Sequence, residues 1–176
     1  MNLERSIPPH PHEHLPAAPA SLRVTSEDFV DGQPLPRSAG LRFGNISPQL
    51  SWSGAPAATR SFLLLCHDPD APVIGGFHHW AVAGIPADVT SLERGAGTRG
   101  RPIADGAAVT LVNDYGTRDF GGCAPPRGDR PHRYVFTVLA LDTDEPVDPA
   151  TSIAAAQFGA LAHVLARGSI TGLFAQ

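Results

Sequence analysis

From residue 22 onward, short apolar runs alternate with turn residues, a rhythm that predicts strands and tight connections. Asn45-Ile-Ser-Pro-Gln-Leu-Ser-Trp52 reads as a polar loop entering a short strand. Arg60-Ser-Phe-Leu-Leu-Leu-Cys-His67 is a continuous apolar strand, stopped abruptly by Asp68-Pro-Asp-Ala-Pro72. Phe77 to Ile85 predicts a second strand closed by Pro86, and Ala107 to Val112 a third, followed by a Gly-rich loop from Tyr115 to Gly128. Arg133 to Leu141 is the longest and best alternating run. A helix is expected near the C-terminus: Thr151 or Ser152 suits its N-cap, Ile153, Gln157, Leu161, Val164 and Leu165 recur at helical spacing, and Gly168 would stop it. Ile170 to Phe174 then predicts a final short strand. Strands at intervals with one late helix imply a mainly β chain folded as a β-sandwich, not alternating βαβ units.

Composition agrees with that pattern. Eighteen Gly and 18 Pro imply many turns and few long helices. The length, 176 residues, suits a single core. Residues 1–20 read as a Pro/His-rich tail, and 21–176 as one domain. In the tail His10, His12 and His14 alternate among four prolines, which could chelate a metal if extended but fits a solvated arm better. The net charge is −4 and the 13 basic residues are scattered, which argues against nucleic-acid binding. No apolar run is long enough for a membrane span or a signal peptide, so a cytoplasmic location is expected. Cys66 and Cys123 do not make a disulfide framework or a metal motif; Cys66 reads as a buried thiol, while Cys123, in a Gly/Pro loop, is the candidate reactive one.

Alternation decides which polar residues can meet. His132 and Tyr134 are two apart and share a face, with Arg133 opposite. His78 and His79 point to opposite faces, so only one of them can join that pair. Asp68 ends its strand, where loops commonly carry functional groups.

The ordered series Ser47-Pro-Gln-Leu-Ser-Trp52, His67-Asp-Pro-Asp-Ala-Pro72, His78-His-Trp80, Asn113-Asp-Tyr-Gly116, Pro125-Pro126 and Pro131-His-Arg-Tyr134 resembles the phosphatidylethanolamine-binding protein (PEBP) family, in its bacterial Raf-kinase-inhibitor-like branch. The resemblance covers roughly residues 20 to 175. It implies a large antiparallel sheet packed on a smaller one, with a pocket at one end. Carried over residue by residue, that pocket falls on Asp68, His79, Ala124, His132 and Tyr134, with Pro72 and Pro125 as walls. The loop departs from the family's usual Gly-Gly-Pro-Cys-Pro-Pro, reading Gly121-Gly-Cys-Ala-Pro-Pro126, which puts ligand size in question.

Two imidazoles, a phenol and backbone N–H groups suit the oxygens of phosphate or carboxylate. The reading is therefore a binding protein for a small anionic ligand or a phospholipid head group, with no cofactor. Asp68 would either orient an imidazole or meet the ammonium of a phosphoethanolamine-like group. The alternative is an acid–base enzyme (cyclase, isomerase or hydrolase) using His79, His132, Asp68 and Tyr134, with Cys123 the sole candidate nucleophile. A zinc site from Asp68, His79 and His132 is a weaker alternative. The resemblance implies that bacterial relatives are often dimers and that family members also act as regulators by docking onto kinases or proteases. A homodimer is thus an expectation, while no feature identifies a protein target.

Overall fold

The structure, a computed structural model, describes residues 3–176. Its strands are β1 (Ala20–Ser21), β2 (Arg23–Thr25), β3 (Gln33–Pro34), β4 (Leu50–Ser53), β5 (Ser61–Asp68), β6 (Phe77–Pro86), β7 (Ser91–Leu92), β8 (Val109–Thr110), β9 (His132–Leu141) and β10 (Val164–Phe174), with one α-helix, α1 (Ile153–Ala160). The large sheet has the order β1-β10-β9-β5-β6-β8, and β3 also pairs with β10. The small sheet has the order β2-β4-β7.

The large sheet is mixed rather than wholly antiparallel. Its central ladders are antiparallel, but β1 and β3 both run parallel to β10. The chain passes once along the free edge of β10, pairing at Ala166 and again at Gly172, and leaves in between to place β2 in the small sheet. Two-residue strands of this kind carry no readable alternation.

The helix is shorter than its spacing predicts. Ser152 caps it, accepting from the Ala155 N–H at 3.1 Å, but it ends at Ala160. Val164 to Gly168 belong to β10, which pairs along β9 from Leu141 to His132. Gly168 is no helix stop: a Cβ there would lie 2.2 Å from the Leu22 carbonyl oxygen, so its missing side chain admits the chain leaving β1.

Alternation splits the core in two. Phe62, Leu64 and Cys66 of β5, Trp80 and Val82 of β6, and Tyr134, Phe136 and Val138 of β9 face the small sheet, where Trp52 meets Phe62 edge-on at 5.4 Å. Leu63, Leu65, Ala81, Ala83, Leu139 and Leu141 face the other way, against Ile153 and Ala160 of α1. Each large side chain buried this way contributes about 1.5–3 kcal/mol. Among the described residues no helix is long and apolar enough to cross a membrane.

The N-terminal arm is not a freely solvated tail; it lies along its own sheet. His12, in a 3-10 turn spanning Pro11–His14, places Nε2 2.8 Å from the Thr137 hydroxyl of β9. Further back, the Pro8 carbonyl accepts from Arg133 Nη2 at 2.8 Å.

Candidate functional site

The site lies where β5 ends and β9 begins. Because β5 pairs antiparallel with β9, its last residue, Asp68, arrives beside His132 and Tyr134. The adjacent strand β6 supplies His79, and does so through a bulge. Cys66 pairs with Trp80 but His67 pairs with His78, which leaves His79 without an opposite residue. Trp80 faces the small sheet and Ala81 the helix side. Strict alternation would turn His79 toward the helix side as well. The bulge reverses it, aiming His79 at Tyr134 and sending His78 out toward Gln157 of α1.

His132 is held by two carboxylates. Its Nδ1 is 2.7 Å from Asp68 Oδ2 and its Nε2 3.0 Å from Asp129 Oδ2, with all three side chains covered. Burial works against the imidazolium, but the Asp68 and Asp129 hydrogen bonds outweigh it and raise the His132 pKa. The His132 hydrogen bond, together with Arg5 and two backbone N–H groups, holds the Asp129 carboxyl far below the usual carboxylate range. Asp68 Oδ1 accepts from the Asp70 N–H at 2.8 Å, fixing the turn. Asp70 in turn takes Nε and Nη2 of Arg133 at 2.8 and 3.0 Å.

His79 is in the opposite state. Its Nδ1 donates to the Gly121 carbonyl at 2.5 Å, and burial lowers its pKa despite that bond. The neutral ring therefore presents a bare Nε2. It sits in an aromatic box with Phe77, Tyr115 and Tyr134 at 5.0, 5.6 and 4.9 Å between centroids. Tyr134 is fully buried and burial pushes its phenol well up. Its Oη lies near the Cys123 thiol and the Ala124 N–H but forms no proper hydrogen bond with any protein group.

The 120s loop closes over this box because it is pinned from outside. Cys123 exchanges backbone bonds with Ala39 and Leu41 at 3.0 Å each, and the Gly122 N–H donates to Asn45 Oδ1. A Cβ on Gly122 would lie 2.3 Å from the Ala39 carbonyl. Cys123, the candidate reactive cysteine, is fully buried, and burial drives its thiol pKa well up. Ala124 and Pro125 follow directly, half-buried and buried. Pro72 lies elsewhere, exposed, in a groove of about 590 Å³ shared with Pro8, Pro9 and Val73.

The structure thus brings Asp68, His79, Ala124, His132 and Tyr134 together and leaves Pro72 in a separate groove. Sequence reasoning missed Asp129, Tyr115 and Arg5. Asp129 had one visible signal, its position three residues before His132. Asn113 explains Tyr115: its Oδ1 accepts from the Tyr115 and Thr117 N–H groups at 3.0 and 3.1 Å, seating the ring over His79. Arg5 reaches the site from the arm, with Nη1 2.8 Å from Asp129 Oδ2. The nitrogens that a metal would need are committed to Gly121, Asp68 and Asp129, apart from His79 Nε2. Among the described residues no group of three or more His, Cys, Asp or Glu is arranged to hold a metal ion.

Comparison with known proteins agrees with this architecture. The family model for phosphatidylethanolamine-binding proteins matches residues 25–175. The UPF0098 protein YbcL of Escherichia coli is 42% identical over 164 residues, spanning 90% of each chain. The UPF0098 protein YbhB of the same organism is 41% identical over 159 residues, 87% of this chain and 99% of that one. The crystal structure of E. coli YbcL, described as a new member of the mammalian PEBP family, superposes with a TM-score of 0.83 at 41% identity, covering 89% of this chain and 99% of that one. A PEBP homologue from Chlamydia trachomatis gives 0.78 at 28% identity, covering 89% and 98%. The chain belongs to the phosphatidylethanolamine-binding protein family.

Proposed function

We propose that this chain is a binding protein whose buried end, between His79 and Tyr134, takes the phosphate or carboxylate of a head group or small metabolite. The observation that carries this reading is the Tyr134 hydroxyl, fully buried without a formed hydrogen bond to any protein group. A buried donor in that condition is costly unless a ligand completes it. The Ala124 N–H lies near it, and the His79 ring packs edge-on to the Tyr134 ring at 4.9 Å.

His132 is not the anion's counter-charge, since both its N–H groups point at carboxylates. Neutral His79 offers a lone pair, so an anion reaches it only with a proton shared between them. The ligand brings that proton, as a monohydrogen phosphate does, or the protein takes one up. Binding then tightens as pH falls toward the lowered His79 pKa.

The test is an NMR titration of the histidine side chains with inorganic phosphate and then phosphoethanolamine, in wild type and Tyr134→Phe. Saturable movement of His79, weakened in the variant, is the expected result. A folded protein whose His79 ignores both ligands would overturn the reading. One observation favours a second reading: neutral His79 with a bare Nε2 in a closed box is also a general base. Turnover lost in His79→Ala, with binding retained, would select that reading instead.

A further inference from the structure

The arm brings a guanidinium into the mouth of the site. Arg5 Nη1 donates to Asp129 Oδ2 at 2.8 Å and to the Leu3 carbonyl at 3.0 Å. Its Nη2 donates to the Asp70 carbonyl and lies 3.1 Å from His132 Nε2. A carboxylate, a carbonyl and an imidazole therefore surround one planar fork.

The neighbouring arginines hold other groups. Arg133 grips the Asp70 carboxylate through Nε and Nη2, and Arg130 divides its donors among Asp70 and the carbonyls of Arg5 and Ser6. Asp68 and Asp129 face one imidazole between them. With His132 protonated, those two carboxylates keep one unbalanced negative charge, and Arg5 neutralises it. Covered charge without a counter-charge is strongly unfavourable, so whatever replaces Arg5 should be a cation.

Arg5 is also the guest rather than the frame. It precedes the first residue of the family match, at 25, whereas every group that holds it except the Leu3 carbonyl lies within that match. Its own backbone is tied down mainly by carbonyl contacts to Arg130 and Arg133, which do not need the Arg5 side chain.

We propose that the Asp129 carboxylate and the Asp70 carbonyl form a guanidinium subsite beside His132 that the chain fills with its own Arg5, and that an external arginine-type side chain enters by displacing the arm. The subsite uses other atoms than the anion reading, which rests on His79 and Tyr134, so either can fail alone. A tethered competitor acts at millimolar effective concentration or above, so free guanidinium ligands meet an occupied site in the wild type.

The experiment uses full-length wild type and Arg5→Ala, titrated with N-methylguanidinium chloride against sodium chloride at equal ionic strength, reading the His132 side chain by NMR. In Arg5→Ala the His132 pKa should rise, because Asp129 has lost its other cation, and methylguanidinium should return it saturably toward the wild-type value. Wild type should need at least about tenfold more of the compound. Adding Asp129→Asn to the Arg5→Ala variant should abolish the response. Equal midpoints in wild type and Arg5→Ala, or a response no larger than that to sodium chloride, would overturn the subsite. An equal response to methylammonium would overturn its guanidinium character. Should Arg5→Ala fail to fold, hydrogen exchange of the wild-type Leu3–Ser6 amides decides: acceleration by methylguanidinium but not by salt supports displacement, and its absence refutes it.

Discussion

Tyr134→Phe separates a residue kept for binding from one kept for stability. The substitution removes one oxygen and leaves the ring, which packs 4.9 Å from His79 and is wholly buried. No cavity of consequence opens, so the usual penalty for trimming a core residue does not arise. The oxygen removed has no formed protein hydrogen bond. A buried hydroxyl left unsatisfied costs about 1–3 kcal/mol, and the poor contacts to Cys123 and Ala124 recover part of that. The variant should therefore be more stable by up to about 1 kcal/mol, a rise in Tm of about 2–4 °C for a chain of this size. Its affinity for phosphate should fall by about tenfold to a hundredfold, since a hydrogen bond to a charged partner is worth about 1.5–3 kcal/mol. Urea and thermal unfolding measure the first quantity, and the NMR titration the second. A variant that loses 1 kcal/mol or more would show that the hydroxyl is already satisfied in the free protein, and the reasoning would fall.

Three other perturbations test other parts of the structure. Asp68→Asn keeps an oxygen for the Asp70 N–H but takes the charge away from His132 Nδ1, a loss on the order of 3 kcal/mol in a covered pair. Because the His132 pKa is raised on folding, its stabilisation is fully present below about pH 6.5 and fades as pH rises through the folded value; in the variant, unfolding measured across that window should be flatter. Burial, with Arg167 and His10, lowers His12 to about 4, so acidification from about pH 6.5 toward 4 favours the detached arm, and amide exchange over residues 5–15 should accelerate there; flat protection would refute the linkage. Cys66 and Cys123 are fully buried with raised pKa values, so a thiol reagent should label neither until unfolding, and rapid stoichiometric labelling of the native protein would contradict this.

Much of this was legible in the sequence, and the parts that were not share a cause. The three long central strands, β5, β6 and β9, were readable because each alternates or runs apolar over eight to ten residues. The pairing of His132 with Tyr134 followed from the same period. The choice between His78 and His79 could not follow, because a bulge inserts one residue and reverses the face. Val164 and Leu165 fit a helical stripe as well as a strand, and the partner that decides for β10 is the ladder with β9, ten pairs long and distant in sequence. Arg5 was invisible for a plainer reason: a lone arginine in a Pro-rich arm carries no local signal, and only the folded sheet brings it 124 residues along the chain to Asp129.

On the proposed reading, the two site histidines explain how carboxylates and an anion could share one end of a sheet. Their environments drive them apart: two carboxylates raise His132, whereas burial lowers His79. Asp68 lies between the two states, hydrogen-bonded to one ring and exerting only a through-space pull on the other. Its charge is spent on His132, and Asp129 is spent on His132 and Arg5. The carboxylates therefore do not face the His79 box as free negative charge. They favour the protonated form of His132, while the neighbouring His79 box holds no charged group. A ligand that fits both regions must be polarised in the same sense: a cationic group where Arg5 now lies, and an acid that shares its proton with His79. If the proposed reading holds, the inner site recognises the proton rather than a fixed positive charge.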